Sequence, residues 1–485
     1  MYLSWIKIKS ISVVALLILG SVSSASWAIG STDKTQPNIV IIFADDMGYG
    51  DIEAYNPDSK IATPNLNQMA ANGMAFSDAH TSSAVCTPSR YSILTGRYAW
   101  RTHLKHGVLR GHSAALIEPD RVTIASMLQS QGYKTIAVGK WHIGIGAAET
   151  DYWGTLKGGP NSVGFDYFYG IPASLDMEPY VYIENESLAT PLTGRVINAS
   201  KNRRKGGEGF WRKGLIGEGF EHQGVLATLT EKAMDQIQLA SQSTEQKPFF
   251  LYYALPAPHT PWLPSKASQG KTGAGYYGDF VVDVDNVVGQ VNNQLEKLGI
   301  AENTIVIYSS DNGAHWSDAD KQKYGHLANG KLRGQKADIY EGGHRVPLII
   351  NWPGKVDAGK VNSSLVVLND LMATIASITD TDIEGVDALD SVDFSSELLS
   401  EPTTTYERGA VIHHSFKGMF AIRKGDWKLV EGAGSGGFTR IKPDGNSMQL
   451  YNLKNDPAET TNLVKKHPLL VGELLAELNK IRGND

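Results

Sequence analysis

Asn38-Ile-Val-Ile-Ile-Phe43, closed by Ala44-Asp45-Asp46, is the stretch that decides the architecture of this chain. A short unbroken apolar run fits a strand buried on both faces of a parallel sheet, although periodicity alone does not separate it from a helical segment. Similar runs recur at residues 134–138, 249–254, 304–308 and 347–352. Helical patterns lie between several of them, at 123–131, 226–239 and 280–298. Strands alternating with helices predict an α/β fold with a mostly parallel sheet covered on both faces.

Outward from that core the pattern changes. Residues 389–405 are polar and loop-like, after which 409–413, 419–423 and 427–430 read as strands. A last helix is expected over 468–481, with Leu470, Leu474, Leu478 and Ile481 on one face. We therefore expect a large domain over 36–400 and a smaller C-terminal α+β domain with an antiparallel sheet over 401–485. The glycine-rich stretches at 205–220 and 431–438 read as surface loops.

At the other end, Lys7 and Lys9 precede an apolar run at 11–19, and Ser26-Trp27-Ala28 places small residues where a signal peptidase reads. The expectation is a signal peptide over 1–28, a periplasmic or secreted protein, and no membrane attachment after cleavage. The alternative is an uncleaved anchor, which the short apolar run disfavours. The 485 residues carry a net charge of −6, which argues against nucleic-acid binding by bulk charge. A single cysteine, Cys86, rules out an internal disulfide.

In an open parallel sheet, ligands sit beyond the carboxyl ends of the strands. Four runs end in polar groups: Asp45-Asp46, Lys140 with His142, His259 in Pro258-His-Thr-Pro261, and Asp311-Asn312. Each alone has a bland reading as a turn, cap or surface residue. Together, Asp45, Asp46, Asp311 and Asn312 form a set of hard oxygen donors suited to calcium or magnesium. In Cys86-Thr-Pro-Ser-Arg90, Pro88 fits a first helical turn with Thr87 as its cap, which places Cys86 just before a helix N-terminus, where anions are favoured.

These segments resemble the formylglycine-dependent sulfatases of the alkaline phosphatase superfamily. Cys86-Thr-Pro-Ser-Arg90 fits their Cys-x-Pro-x-Arg maturation signal, and Leu94-Thr-Gly-Arg97 continues it. The resemblance extends through Asp45-Asp-Met-Gly-Tyr-Gly50, Gly139-Lys-Trp-His142, Pro258-His-Thr-Pro261, Ser310-Asp-Asn-Gly313 and Tyr340-Glu-Gly-Gly343, in the family's order over nearly the whole mature chain. It implies an alkaline phosphatase-like mixed sheet. It also implies a Cys86 oxidised to 3-oxoalanine (formylglycine) by a formylglycine-generating maturation enzyme. One Ca2+ ion is implied at Asp45, Asp46, Asp311 and Asn312. The hydrated aldehyde would attack sulfur with one hydroxyl and expel sulfate with the other. Asp311 would take the attacking hydroxyl's proton, Arg90 would hold the diol, and Lys140 and Lys336 would bind sulfate oxygens. His142 would contact the diol, His259 would protonate the leaving alcohol, and Ser174 would add a polar contact.

The resemblance also implies a sulfated carbohydrate as substrate, with a marine galactan such as a carrageenan as the candidate. Candidate recognition residues are His103 and His112 within 101–112, Arg204 within the basic, aromatic 201–213, and the segment holding His413, His414 and Lys417. The alternatives are a phosphonate monoester or phosphodiester hydrolase of the same superfamily, or an inactive glycan-binding protein in which Cys86 stays a thiol.

Overall fold

Alternate side chains of the first strand feed two separate cores, which is why the run around Ile41 shows no polar face. In the computed structural model, Ile39, Ile41 and Phe43 pack into one hydrophobic cluster, whereas Val40, Ile42 and Ala44 pack into another. The structure describes Met1 and residues 36–201, 210–245, 247–383, 387–399, 406–442 and 444–483. The expected signal peptide, apart from Met1, and the expected 400/401 boundary lie outside the described residues. Residues 36–485 form one unit. No helix among the described residues is long and apolar enough to cross a membrane.

The ten strands of the large sheet are, in chain order, Asn38–Asp45 (β1), Met74–Phe76 (β2), Lys134–Lys140 (β3), Tyr167–Ile171 (β4), Ile183–Glu184 (β5), Ser187–Leu188 (β6), Phe249–Pro258 (β7), Thr304–Ser310 (β8), Leu348–Asn351 (β9) and Lys360–Asn362 (β10). Their spatial order is β10-β2-β9-β8-β1-β7-β3-β4-β5-β6. The central run β8-β1-β7-β3-β4 is parallel throughout. Strand β9 runs antiparallel to β8, so the 347–352 run is not one of the parallel strands its composition suggested. Burial on both faces produces the same apolar run whichever way a strand points, so direction is not written in the residues.

One face is covered by helices Cys86–Thr95 (α1), Ile124–Ser130 (α2) and Leu371–Ile378, through Tyr91, Ile124, Leu128 and Ile375. The other is covered by Val225–Ser241 and Gly275–Lys297, through Leu229, Ile237, Val284 and Val291. Each such aliphatic side chain contributes about 1.5–3 kcal/mol on burial, so Ile41→Asp would replace one such contribution with an unpaired charge.

A four-stranded antiparallel sheet follows, built from Val411–His414 (β11), Phe420–Lys424 (β12), Trp427–Val430 (β13) and Gln449–Asn452 (β14). Helix Pro468–Arg482 packs on it through Leu474 and Leu478, with Leu470 and Ile481 flanking, as its periodicity predicted. Part of the 205–220 stretch is not loop. Phe210–Trp211 pairs with Ser200–Lys201, and Gly214–Gly217 pairs with Leu192–Ile197.

Candidate active site

The strand ends converge as expected. Strand β1 delivers Asp45 and Asp46, β3 ends at Lys140, β7 is followed by His259, and β8 is followed by Asp311 and Asn312. All of these side chains are buried, as are Cys86, Arg90, His142 and Lys336. Cys86 is the first residue of α1 and Val85 is its N-cap. This corrects the expected cap: the Thr87 hydroxyl instead donates to the His142 carbonyl at 2.9 Å and so ties α1 to the turn after β3. Arg90, one turn on, points back at the carboxylates.

Around Cys86 the charges interlock. Its Sγ lies 3.5 Å from Asp45 Oδ1, 4.0 Å from Asp46 Oδ1 and 3.4 Å from Lys336 Nζ. Lys140 Nζ donates to Asp45 Oδ2 at 2.7 Å, and Lys336 Nζ contacts both Asp46 oxygens at 2.6 and 2.8 Å. The Arg90 guanidinium grips Asp311 Oδ2 through Nε at 3.0 Å and Nη2 at 2.9 Å. His259 Nε2 stands 3.7 Å from Asp46 Oδ2, while its Nδ1 faces the Thr260 carbonyl at 2.5 Å. Asp45, Asp46 and Asp311 are thus balanced by Arg90, Lys140 and Lys336.

Backbone strain concentrates at the same place. Asp46, His142 and Ala337 have positive φ values of 65°, 59° and 77°. Non-glycine residues hold such angles only when their surroundings over-determine them. The Asp46 amide donates to Asp311 Oδ1 at 3.1 Å, and the Ala337 amide donates to the Ala84 carbonyl at 2.7 Å. Gly139, at φ 118°, leaves no room for a side chain: a Cβ there would lie 1.9 Å from the Ala254 carbonyl oxygen. This close approach sets β3 against β7 just before Lys140.

Titration follows burial and charge. Burial pushes the Cys86 thiol well above its usual range, and the Asp311 carboxylate pushes it further. Burial, reinforced by Lys140 and Arg90, holds His142 well below the usual histidine range. Burial, reinforced by Lys336, also lowers His259. Burial opposes ionisation of Asp45, but Lys140, His259 and Arg90 hold it well below the carboxylate range. An unmodified Cys86 is therefore a neutral thiol and a poor nucleophile.

Two buried acceptors lack partners in this cluster. The Asn312 amide nitrogen donates to Asp46 Oδ1 and the Gly313 carbonyl, which leaves its Oδ1 alone. His142 uses Nε2 on the Leu109 carbonyl at 2.9 Å, which leaves Nδ1 alone. A buried acceptor without a partner is costly and asks for a ligand or water. An orphaned amide oxygen beside paired carboxylates fits a hard divalent cation.

The substrate-recognition expectations fare unevenly. His103 is exposed and His112 half-buried, and both line a cavity of about 470 Å³ with Leu109, Arg110, Ser113, Ala114 and Glu149. That cavity shares Leu109 with the His142 contact. His112 Nε2 faces Glu178 at 3.0 Å. Ser174 is buried with an unpartnered hydroxyl, just beyond the end of β4. Arg204 lies outside the described residues. His413 and His414 are buried, and His413 stacks on His344 at 3.8 Å, so they serve packing rather than an open surface. Arg101 is likewise taken up by Asp390 at 2.8 Å. Asp338 escaped notice because a lone carboxylate in a loop carries no signal, yet it fixes the loop beside Lys336.

A buried residue among interlocked carboxylates and cations, at the strand ends of an α/β sheet, suits a hydrolase of anionic esters. Comparison with known proteins makes this specific. Residues 37–381 match the Sulfatase family model, and 335–483 match the model for the C-terminal region of N-sulphoglucosamine sulphohydrolase. The N-acetylgalactosamine-6-O-sulfatase of Bacteroides thetaiotaomicron is 33% identical, over 93% of this chain and 94% of its own. Human arylsulfatase A is 31% identical, over 94% and 89%. Among solved structures, a Bacteroides thetaiotaomicron protein of glycosaminoglycan metabolism superposes with a TM-score of 0.82 at 32% identity, covering 92% and 99%. Ps i-CgsB in complex with k-i-k-neocarrahexaose gives 0.70 at 26%, covering 92% of each. The chain belongs to the sulfatase family and is an enzyme that hydrolyses sulfate esters.

Proposed function

We propose that this enzyme removes a sulfate group from a sulfated glycan, with Cys86 matured to formylglycine and one calcium ion held by Asp45, Asp46, Asp311 and Asn312. The observation that carries the maturation is the placement of Cys86 in Cys86-Thr-Pro-Ser-Arg90, buried at the start of α1 with its Sγ 3.5 Å from Asp45, 4.0 Å from Asp46 and 3.4 Å from Lys336. Formylglycine, once hydrated, supplies a hydroxyl nucleophile, and calcium supplies a positive charge that polarises the sulfate ester.

The chain's own residues do the rest. Arg90 orients the side chain at position 86, and Asp311, which burial and Asp45 push up to about 6 against the pull of Arg90, receives the hydroxyl proton. Lys140 and Lys336 leave Asp45 and Asp46 and turn to the sulfate oxygens, where they stabilise developing charge. His259, whose Nδ1 faces the Thr260 carbonyl, takes a proton from solvent at Nε2 before the reaction, gives it to the leaving alcohol and is left neutral until solvent reprotonates it. His142 offers its free Nδ1 lone pair toward the position-86 side chain. Ser174, His103 and His112 line the approach of the sugar. Residues 36–400 carry this chemistry, and 401–485 brace it.

The N-acetylgalactosamine-6-O-sulfatase relative supports a 6-sulfated galacto-configured sugar as substrate. The carrageenan oligosaccharide bound by Ps i-CgsB supports a second reading, a sulfated galactan. A panel of defined oligosaccharides of both kinds, scored for sulfate release with calcium and after chelation, separates them. Mass spectrometry of the Cys86 peptide from an active preparation tests the nucleophile. An intact thiol in fully active enzyme, or undiminished activity in Cys86→Ala, overturns the mechanism.

A further inference from the structure

The catalytic lysine segment is bonded, residue by residue, to two loops of the C-terminal sheet. The Ala337 amide donates to Ala84, two residues before Cys86, and its carbonyl accepts from the Phe416 amide at 3.0 Å. Asp338 Oδ1 accepts from the Phe438 amide at 2.8 Å and the Thr439 amide at 3.0 Å, and Oδ2 accepts from the Thr439 hydroxyl. The Ile339 amide donates to Ser435 at 2.8 Å. A Cβ at position 437 would lie 2.2 Å from the Ala337 carbonyl oxygen, so only glycine lets the loop sit this close.

This scaffold holds an aromatic ring open to solvent. Phe438 is 41% exposed although its backbone is pinned by partly buried hydrogen bonds to Asp338. Its ring stands 5.0 Å from that of His315, three residues beyond Asn312, and 5.5 Å from that of Phe416. Lys417 is exposed, and its amide donates to the Gly436 carbonyl at 3.0 Å, two residues before Phe438. A large apolar ring on a pinned backbone, next to partly exposed rings and one lysine, fits the flat face of a sugar in an anionic chain. It fits free sulfate poorly, because a ring face offers an anion nothing.

We propose that Phe438, flanked by His315 and Phe416, is a stacking subsite for the pyranose ring adjacent to the sulfated unit, and that Lys417 meets an acidic group on that neighbour. The inference rests on the glycan reading above and names what selects a chain over a single sugar. The C-terminal loops thereby set specificity while their backbone positions Lys336.

The test uses the Cys86→Ala protein, in which binding is read without turnover. Isothermal titration gives dissociation constants for 6-sulfated N-acetylgalactosamine and for a tetrasaccharide ending in it. The tetrasaccharide binds more tightly than the monosaccharide in the Phe438-bearing protein. Phe438→Ala cuts that preference about tenfold, in line with the worth of one aromatic contact, and Phe438→Trp keeps it. An unchanged preference in Phe438→Ala, or the absence of any preference with Phe438 in place, overturns the subsite. Sulfate release by protein with Cys86 intact is scored separately, so failure of the glycan-sulfatase reading shows there and not in this ratio.

Discussion

Replacing Lys428 by methionine removes an ammonium that sits between two buried carboxylates. Lys428 is fully buried on β13. Its Nζ lies 3.0 Å from Glu341 Oε1, 2.9 Å from Glu459 Oε1 and 3.0 Å from His344 Nε2. Glu459 in turn accepts from the Glu341 amide at 2.7 Å, where the short helix Glu341–His344 begins. Arg345 and Arg423 reach Glu341 only at 3.6 and 3.9 Å, so they replace little of what is lost. Breaking a buried pair from one side costs about 3–5 kcal/mol. With an unfolding entropy of about 2.1 cal/mol/K per residue, a folded unit of about 450 residues changes Tm by about 1 °C per kcal/mol. Lys428→Met should therefore lower Tm by about 3–5 °C in differential scanning calorimetry at neutral pH. Adding Glu341→Gln and Glu459→Gln should restore more than half of the loss, because the stranded charges disappear. A Tm within about 1 °C of the parent refutes the claim that this ion cluster bolts the small sheet to the Glu341 segment.

Burial and the nearby Glu341 push Glu459 up to about 7, against the pull of Lys428. A group whose folded pKa is raised stabilises the fold in acid and loses that contribution as pH rises through the folded value. Stability should thus fall between pH 5 and about 8, and Glu459→Gln should flatten that slope in urea titrations; an equal slope contradicts the assignment. Gly139→Ala must displace the Ala254 carbonyl and adopt a φ that a side chain resists, so a loss of about 3 kcal/mol or more is expected by chemical denaturation. Near-parent stability would show that β3 and β7 can separate freely. For His259→Ala, release from sugar sulfates should fall about 10²–10⁴-fold, while aryl sulfates with good leaving groups should suffer far less. Equal losses on both would remove His259 from the role of general acid.

Much of the strand-end cluster was legible because Asp45, Lys140, His259 and Asp311 each stand at or just beyond the end of a strand. The apolar runs ending at Asp45, Lys140, His259 and Asp311 declared both the sheet and the rim where polar groups collect. The Cys86 segment declared the helix that begins there, although the cap fell to Val85 because Thr87 is drawn to the His142 carbonyl. A hydroxyl's choice between its own helix and a distant carbonyl is a tertiary matter. Strand direction at Leu348–Asn351 was equally hidden, since burial on both faces selects the same residues either way.

By itself, then, the sequence determined the layered α/β core, the set of carboxylates and cations, and membership of the family that uses them, because periodicity and local motifs are properties of neighbouring residues. Only the tertiary structure decided that Lys336 reaches Cys86, that Asp338 pins the Phe438 loop, and that His413 lies in a buried stack. Those contacts join residues 69 to 250 positions apart in the chain, and the forces that select among such partners are packing and charge balance in three dimensions.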